Sequence, residues 1–330
     1  MTADNKGTLG NGIPILLNYL GPQGGQILPA GITASITAMA GGATDPSLAS
    51  IATILGDMPF DYIVNPYSAT LAITSATMSD QAGRWSYSAA IYGHVFSAPA
   101  DTVANLITFG TGLNDQHLSV LGVNAASPTP AWIWAAALVG AIAPALDADP
   151  ARPVQTLPIA GVLPAPSGSN WNFSNRQSLL TAGVAVAQRD AAGRVSVVRC
   201  VTTYQTNKFG QPDQSYLDVE IMTTLTAVVR ALKAVVTQKF PRAKLADDGT
   251  RFGAGQPVVT PSIARGVVIA EYANLVDQGL CENETAFAAG LIVQRNANDN
   301  SRLDVLFDPY LVSGLRIFAV LTQFHLAAAA

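Results

Sequence analysis

The side chains in this sequence that could do covalent or metal chemistry are few: three histidines, His94, His117 and His325, and two cysteines, Cys200 and Cys281. Nucleophilic catalysis needs a Ser or Cys beside a base, with donors aimed at the developing oxyanion. The G-x-S-x-G turn that presents such a serine in α/β hydrolases is absent. Each histidine lies in an apolar, strand-like run, and none is followed by a second histidine at metal-ligand spacing. All three therefore read as core or interface residues. The cysteines stand 81 positions apart, which forms neither a metal-ligand pair nor a disulfide framework, and they read as reduced thiols of a cytoplasmic product.

Phosphate cradles require a glycine-rich turn leading into a helix, often with a following lysine. "GPQGGQ" (21–26) and "GTG" (110–112) lack both the lysine and the helix start. The neighbouring carboxylates Asp57 and Asp61, or Asp147 and Asp149, read as solvated loop residues. No catalytic, cofactor-binding or metal-binding residue is assigned, and no cofactor is expected. An α/β hydrolase remains the competing class; a cleft in which a serine or cysteine is hydrogen-bonded to His94 or His117 is the feature that would support it.

Bulk properties narrow the alternatives. The 330 residues are enough for two domains. Hydrophobic residues make up 49% of the chain and charged ones 12%, about half of the usual quarter, so little charge is available to cover an isolated surface and buried interfaces are expected. A net charge of −4 offers no broad attraction to phosphate, which argues against nucleic acid as a partner. No charged segment followed by an apolar stretch opens the chain as a secretory signal would. The run "AWIWAAALVGAIAPAL" (131–146) is shorter than the roughly 20 residues a bilayer needs and contains Pro144, so a buried core helix is expected and membrane insertion is not.

The elements alternate. "GIPILLNYL" (12–20) and "AGITASITAMAGG" (30–42) read as a hairpin. A helix follows, capped by Thr44 or Asp45 with Pro46 at its first position and stopped at Gly56, and "FDYIV" (60–64) is a strand. The order repeats: strand "AIYGHVF" (90–96), a helix "TVANLITF" capped by Asp101, strand "HLSVLGV" (117–123), then the alanine-rich helix from Pro130. Such alternation predicts an α/β fold with a mostly parallel sheet and flanking helices. A proline-rich crossover (147–170), a short helix in "SNRQSLLTAGV" and a strand in "GRVSVVRCVTTY" (193–204) close a first domain, residues 1–203.

A smaller α+β domain, residues 204–326, follows. Its strongest element is "SYLDVEIMTTLTAVVRALKAVVTQKF" (215–240), where Ile221, Leu225, Val228, Val229, Leu232, Val235 and Val236 recur at helical spacing, with Ser215 and Asp218 as caps and Pro241 forbidding continuation. A second helix runs from Pro261 to Gly279. Strands are expected at 290–295, 302–307 and 316–324. In the last, Ile317, Ala319, Leu321 and Gln323 would point to one face and Phe318, Val320, Thr322 and Phe324 to the other. Both faces are largely apolar, which suits a central strand of some sheet, this domain's own or a neighbour's. Ala327–Ala330 has no pattern and reads as a disordered end or a cloning tail.

One local charge feature stands out in an acidic chain: Arg230, Lys233, Lys239, Arg242, Lys244 and Arg251, opposed only by Asp247 and Asp248. It is either a solvated helix end complementing the dipole or a contact surface for an acidic protein partner.

The runs "LPAGITASITAMAGG", "FDYIVNPY", "GRWSY", "YGHVF", "DPARPVQTLPIAGV", "TTYQTNKFGQPDQSYLDVE", "KLADDGTRF" and "RLDVLFDPYLVSGLRIFAVLTQFHL" occur in that order over nearly the whole chain. Together they resemble the tail sheath protein of contractile-tailed, Mu-like bacteriophages. The resemblance implies a virion structural protein, made in the host cytoplasm, whose copies stack as a helical sheath around an inner tail tube and contract during viral genome ejection. Its implied partners are other copies of itself, the tube protein, and tail terminator and baseplate proteins.

The resemblance also implies a subtilisin-like central domain followed by a C-terminal sheath domain. No protease activity is expected, because Val95 follows His94 where a subtilase carries H-G-T, and a G-T-S motif is absent. Family chains carry further N-terminal sequence, including a subunit-linking arm, before the region matching "NKGTLGN", so this chain is expected to be an N-terminally truncated fragment. The residues expected to link subunits from the other end are Arg316, Ile317, Phe318, Ala319, Val320, Leu321, Thr322, Gln323 and Phe324. The sheath of a related, bacteriocin-like injection device is the nearest alternative.

Overall fold

The computed structural model describes residues 7–19 and 25–323. Among them, five strands form one sheet in sequential order: β1 (Tyr62–Val64), β2 (His94–Ser97), β3 (Leu118–Leu121), β4 (Val184–Arg189) and β5 (Val195–Arg199). The first four are parallel and β5 returns antiparallel to β4. Parallel strands need crossovers, which is why each pair is separated by helix. Here α2 (Leu71–Met78), α3 (Val103–Thr111), α4 (Ala131–Ala148) and α5 (Phe173–Thr181) fill those connections, after a short α1 (Ile51–Leu55).

Alternation along the strands divides the core. Val95, Leu118 and Val120 pack with Leu71 and Met78 of α2, while Phe96, Leu121 and Ala185 pack with Trp134, Ala135, Leu138, Ile142 and Leu146 of α4. Those α4 positions recur at helical spacing, so one face of the helix is sealed against the sheet. The helix is long and apolar enough to cross a membrane by length and composition, and its buried stripe makes it the core helix expected. Leu106 of α3 and Leu179 of α5 meet Val184 and Val186 of β4 in a further cluster.

The C-terminal unit comprises α6 (Val219–Lys239), α7 (Pro261–Asp277), α8 (Glu284–Gly290) and an antiparallel hairpin of β6 (Ile292–Arg295) and β7 (Leu303–Leu306). Tyr272 anchors it. Its ring stacks on Phe287 at 3.6 Å, and its hydroxyl donates to Glu282 O (2.7 Å) and accepts from Tyr310 N (3.0 Å). The α6 helix serves both units, since Val219 and Met222 lie in the central clusters and Val228 lies in the C-terminal one.

Several local expectations are corrected. Residues 12–19 and 30–42 form no hairpin; Ile27, Ile32 and Ile36 are exposed, so no face exists for the alternation to bury. Instead Asn11 exchanges hydrogen bonds with Gly42, and Asp45 accepts from Thr8 N and Oγ1. That removes Asp45 as a cap, and α1 starts only at Ile51. Thr102 caps α3 through Asn105 N, with Asp101 supporting it from outside. Asp218 occupies the N-cap position of α6 but makes no capping bond, because both its oxygens face arginines. The strand Val184–Arg189 was hidden behind the glycine that ends α5. Residues 316–323 adopt no strand: no backbone hydrogen bond pairs them with another segment among the described residues.

Candidate assembly interface

A buried charge network lies where the two units join. On β5, Arg199 grips Asp218 with two parallel bonds, Nε to Oδ1 and Nη2 to Oδ2, each 2.8 Å. Arg316 reaches the same cluster from near the C-terminus, its Nη2 lying 3.2 Å from Asp218 Oδ1 and 2.9 Å from Glu220 Oε2. The other Glu220 oxygen accepts from Val154 N at 2.6 Å, which ties in the crossover loop. Two arginines thus face two carboxylates, as burying charge requires. Burial pushes the Glu220 carboxyl above its ordinary range, with the Arg316 charge opposing that rise, and the Asp218 hydrogen bonds raise the already high Arg199.

Beyond Arg316 the chain is bare. Ile317, Phe318, Val320 and Leu321 are 82%, 84%, 66% and 88% exposed. Among the described residues no backbone hydrogen bond involves 317–323; Phe324 lies outside them, as does His325. This falls on the segment singled out as the linking strand, and it leaves both apolar faces uncovered. The β6–β7 hairpin has the complementary deficiency: it is two-stranded, and Ile292, Val305 and Leu306 are exposed. Val293 of β6 packs on the C-terminal core, while the outer edges of a two-stranded ladder present unpaired backbone groups.

The basic residues are brought only partly together. Arg230 pairs with Asp61 and reaches Tyr92 O. Lys233, Lys239, Arg242, Lys244 and Arg251 are exposed, and no ion pair among the described residues takes them up. Asp247 pairs with Arg295 and Asp248 binds Ser262, so the opposing acids are engaged elsewhere.

Hydrolytic chemistry finds one matching contact and fails on it. His94 Nε2 lies 2.8 Å from Ser119 Oγ, and His94 borders a cleft of about 270 Å³ with Asp61, Tyr62, Asp147 and Arg230. Ser119 is 0% exposed and does not line that cleft. His94 Nδ1, where a triad acid would bind, has no partner among the described residues. Burial, and then the nearby His117, hold His94 down at about 3, so it stays neutral. Asp147 accepts from Tyr62 and Asp61 pairs with Arg230, so neither cleft carboxylate addresses the histidine. His117 instead meets Asp80 at 3.0 Å. Among the described residues no three His, Cys, Asp or Glu side chains converge as a metal site would need.

The anchoring role of Arg199, Asp218 and Glu220 was missed by sequence reasoning, because Glu220 and Arg316 stand 96 positions apart and no local pattern pairs them. The one available signal was two acids placed on the first turn of an otherwise apolar helix face.

Comparison with known proteins places this arrangement. The central-domain model of the phage tail sheath protein matches residues 41–203, and the C-terminal-domain model matches residues 211–325. The tail sheath protein of the Mu-like prophage FluMu from Haemophilus influenzae is 38% identical over 326 residues, covering 99% of this chain and 66% of that protein. The chain therefore spans a little under two thirds of its curated relative. In fold it is similar to a sheath tail protein of Listeria innocua (TM-score 0.52, 14% identity, covering 84% of this chain and 60% of that one). It is also similar to the sheath of the PVC extracellular contractile injection system in its contracted state (TM-score 0.52, 11% identity, covering 83% and 73%). The family is structural, not enzymatic. With both of its domain models matched in order and a relative aligned end to end along the chain, this protein belongs to the phage tail sheath family.

Proposed function

We propose that the protein is the structural subunit of a contractile phage tail sheath, polymerising helically around an inner tube and contracting to drive that tube through the host envelope. The observation that carries this is the pairing, within one chain, of a free apolar segment (317–323) with an open two-stranded hairpin (β6–β7). A donor and an acceptor on different patches make a heterologous contact, which propagates into an open helix when its rotation does not close a ring. Strand addition gives backbone hydrogen bonds through a pliant link, so subunits can move as rigid bodies without separating. The division into an α/β domain (1–203) and a C-terminal domain (204–326) belongs to the same reading, with α6 as the element that couples them. The tube, terminator and baseplate proteins are the further partners, and the virion tail is the site of action.

A phage sheath is favoured over a bacteriocin-like device because the 38% relative is a prophage protein, whereas the likeness to the injection system is one of fold alone. The test is to express the chain together with a tube protein and to look for striated tubes by electron microscopy. Their absence under conditions where the tube itself polymerises overturns the reading.

A further inference from the structure

The C-terminal segment does not simply trail from the C-terminal unit. It is fixed at three successive points before it goes free. Leu311 bridges to Cys281, with Glu282 N bonding Tyr310 O (2.8 Å) and Val312 N bonding Leu280 O (3.1 Å). Gly314 then lies so close to Pro153 of the crossover loop that an added Cβ would overlap the proline ring. Finally, Arg316 enters the Asp218 and Glu220 pair at the start of α6, where Arg199 of β5 is also held. From residue 317 to 323 every residue is exposed, and no backbone hydrogen bond holds any of them. Residues 311–316 therefore form a strap running from the C-terminal core to the junction with the central sheet.

Neighbouring residues show what the strap depends on. Ser313, Gly314 and Leu315 are exposed and make no backbone hydrogen bonds. The stretch from 313 to 315 is thus held by the glycine's close approach and the Arg316 side chain alone. Arg316 is only 15% exposed and its partners Asp218 and Glu220 are 10% and 6% exposed, so the pairing is desolvated and its loss leaves uncompensated buried charge. Arg199 and the Val154 N–H hold the two carboxylates independently of Arg316, so the receptor for Arg316 is fixed in place by the fold.

We infer that Arg316 is the positioning residue of the linking strand: seated in the Asp218–Glu220 pair, it sets the point and direction from which residues 317 onward leave the subunit. This rests on the sheath reading above and deepens it. Strand addition demands a fixed register, since a slip of one residue exchanges the two faces. A strand free from 313 instead of 317 could enter a neighbour's hairpin in several registers. Because the anchor lies on α6 and β5, the pull of a neighbouring subunit is delivered to the junction of the two units and bypasses the hairpin.

Trypsin tests the seat without any assembly, because the protease must take the Arg316 side chain into its own pocket. Cleavage after Arg316 should be slow in the native chain, while chymotrypsin cuts at the exposed Phe318 readily. Glu220→Gln should speed tryptic cleavage after Arg316 by about tenfold, in line with the open fraction governing proteolysis, and leave the chymotryptic rate unchanged. Circular dichroism confirms that the variant is folded; if it is not, Arg316→Lys, which keeps the charge and the cleavage site but loses the forked geometry, serves in its place. An unchanged tryptic rate in a folded variant overturns the seat.

The second arm examines register. Where the native protein forms striated tubes, Arg316→Ala should give short or irregular ones and Arg316→Lys should restore length in part. Regular full-length tubes from Arg316→Ala overturn the positioning role. Failure of the native protein to form tubes counts against the sheath reading itself, while the tryptic measurement still decides whether the strap is latched.

Discussion

His94 Nε2 and Ser119 Oγ lie 2.8 Å apart across the parallel strands β2 and β3, and both residues are buried. The contact satisfies two buried polar groups, as buried hydrogen bonds must, and it carries a pH dependence. His94 titrates at about 3 in the fold against about 6.5 when unfolded. A group whose folded pKa is depressed contributes stability that is present above the unfolded value and lost as pH falls towards the folded one. Stability should therefore drop below pH 6.5 by up to about 1.4 kcal/mol per pH unit from this residue. Chemical denaturation at pH 7, 5.5 and 4.5 should show a shallower fall for His94→Gln; an identical slope would remove the assignment. Ser119→Ala should cost about 1 kcal/mol, and neither protein should react with an acylating serine probe.

The two thiols should be silent in the folded chain. Burial raises Cys200 far above the ordinary range, reinforced by the Glu220 charge, and pushes Cys281 up to about 11. The thiolate is the reactive form, so labelling by a maleimide at pH 7 should proceed only as fast as the protein opens. Rapid labelling of either residue under native conditions would contradict the packing around it.

The free segment should matter for assembly and not for the subunit. Residues 317–323 make no backbone hydrogen bonds, and their largest apolar side chains are exposed, so truncation after Arg316 should leave the melting temperature of the isolated chain within the range of neutral surface changes, about ±0.5 kcal/mol. The same truncation should abolish tube formation. A large loss of subunit stability would show that the segment folds back on its own chain.

Charge on α6 should act through the residues left exposed. Lys233→Glu with Lys239→Glu should weaken co-assembly with an acidic partner, increasingly so at low salt. Arg230→Ala should not, because its guanidinium is held by Asp61; at its half-exposed position that pair is worth no more than about 1 kcal/mol. Co-sedimentation with the tube protein separates the outcomes: unchanged binding by the double lysine variant would reassign those residues to solvent.

Gly110 marks one of the closest approaches in the central unit. A Cβ there would overlap Ala182 O and come within 2.5 Å of a Val184 methyl, so α3 sits against the α5–β4 turn only because this residue has no side chain. Gly110→Ala should destabilise by about 1–3 kcal/mol, readable as a lower denaturation midpoint.

Much of the fold was legible because it rests on local physics. The apolar spacing from Ile221 to Val236 predicts α6, the Pro261 start predicts α7, and strand–helix alternation predicts the parallel sheet that forms. Reading failed where a polar residue had a distant claim on it. Asp45 and Asp218 look like caps, yet Thr8 takes one and Arg199 with Arg316 the other. The proposed hairpin near the N-terminus failed for the opposite reason, since its apolar residues find nothing to pack against.

By itself the sequence determined the long helices α4, α6 and α7 and the first three strands of the parallel sheet, that His94 and His117 belong in a core, and that residues 316–324 are apolar on both faces. Periodicity and hydrophobicity act over a few residues, so they can be read in one dimension. The tertiary structure alone decided that Ser119 meets His94 out of solvent's reach, that Arg316 seats between Asp218 and Glu220, and that the apolar segment beyond it has no sheet of its own to join. Those outcomes depend on which distant residues the chain path brings within hydrogen-bonding distance, and no local pattern encodes that.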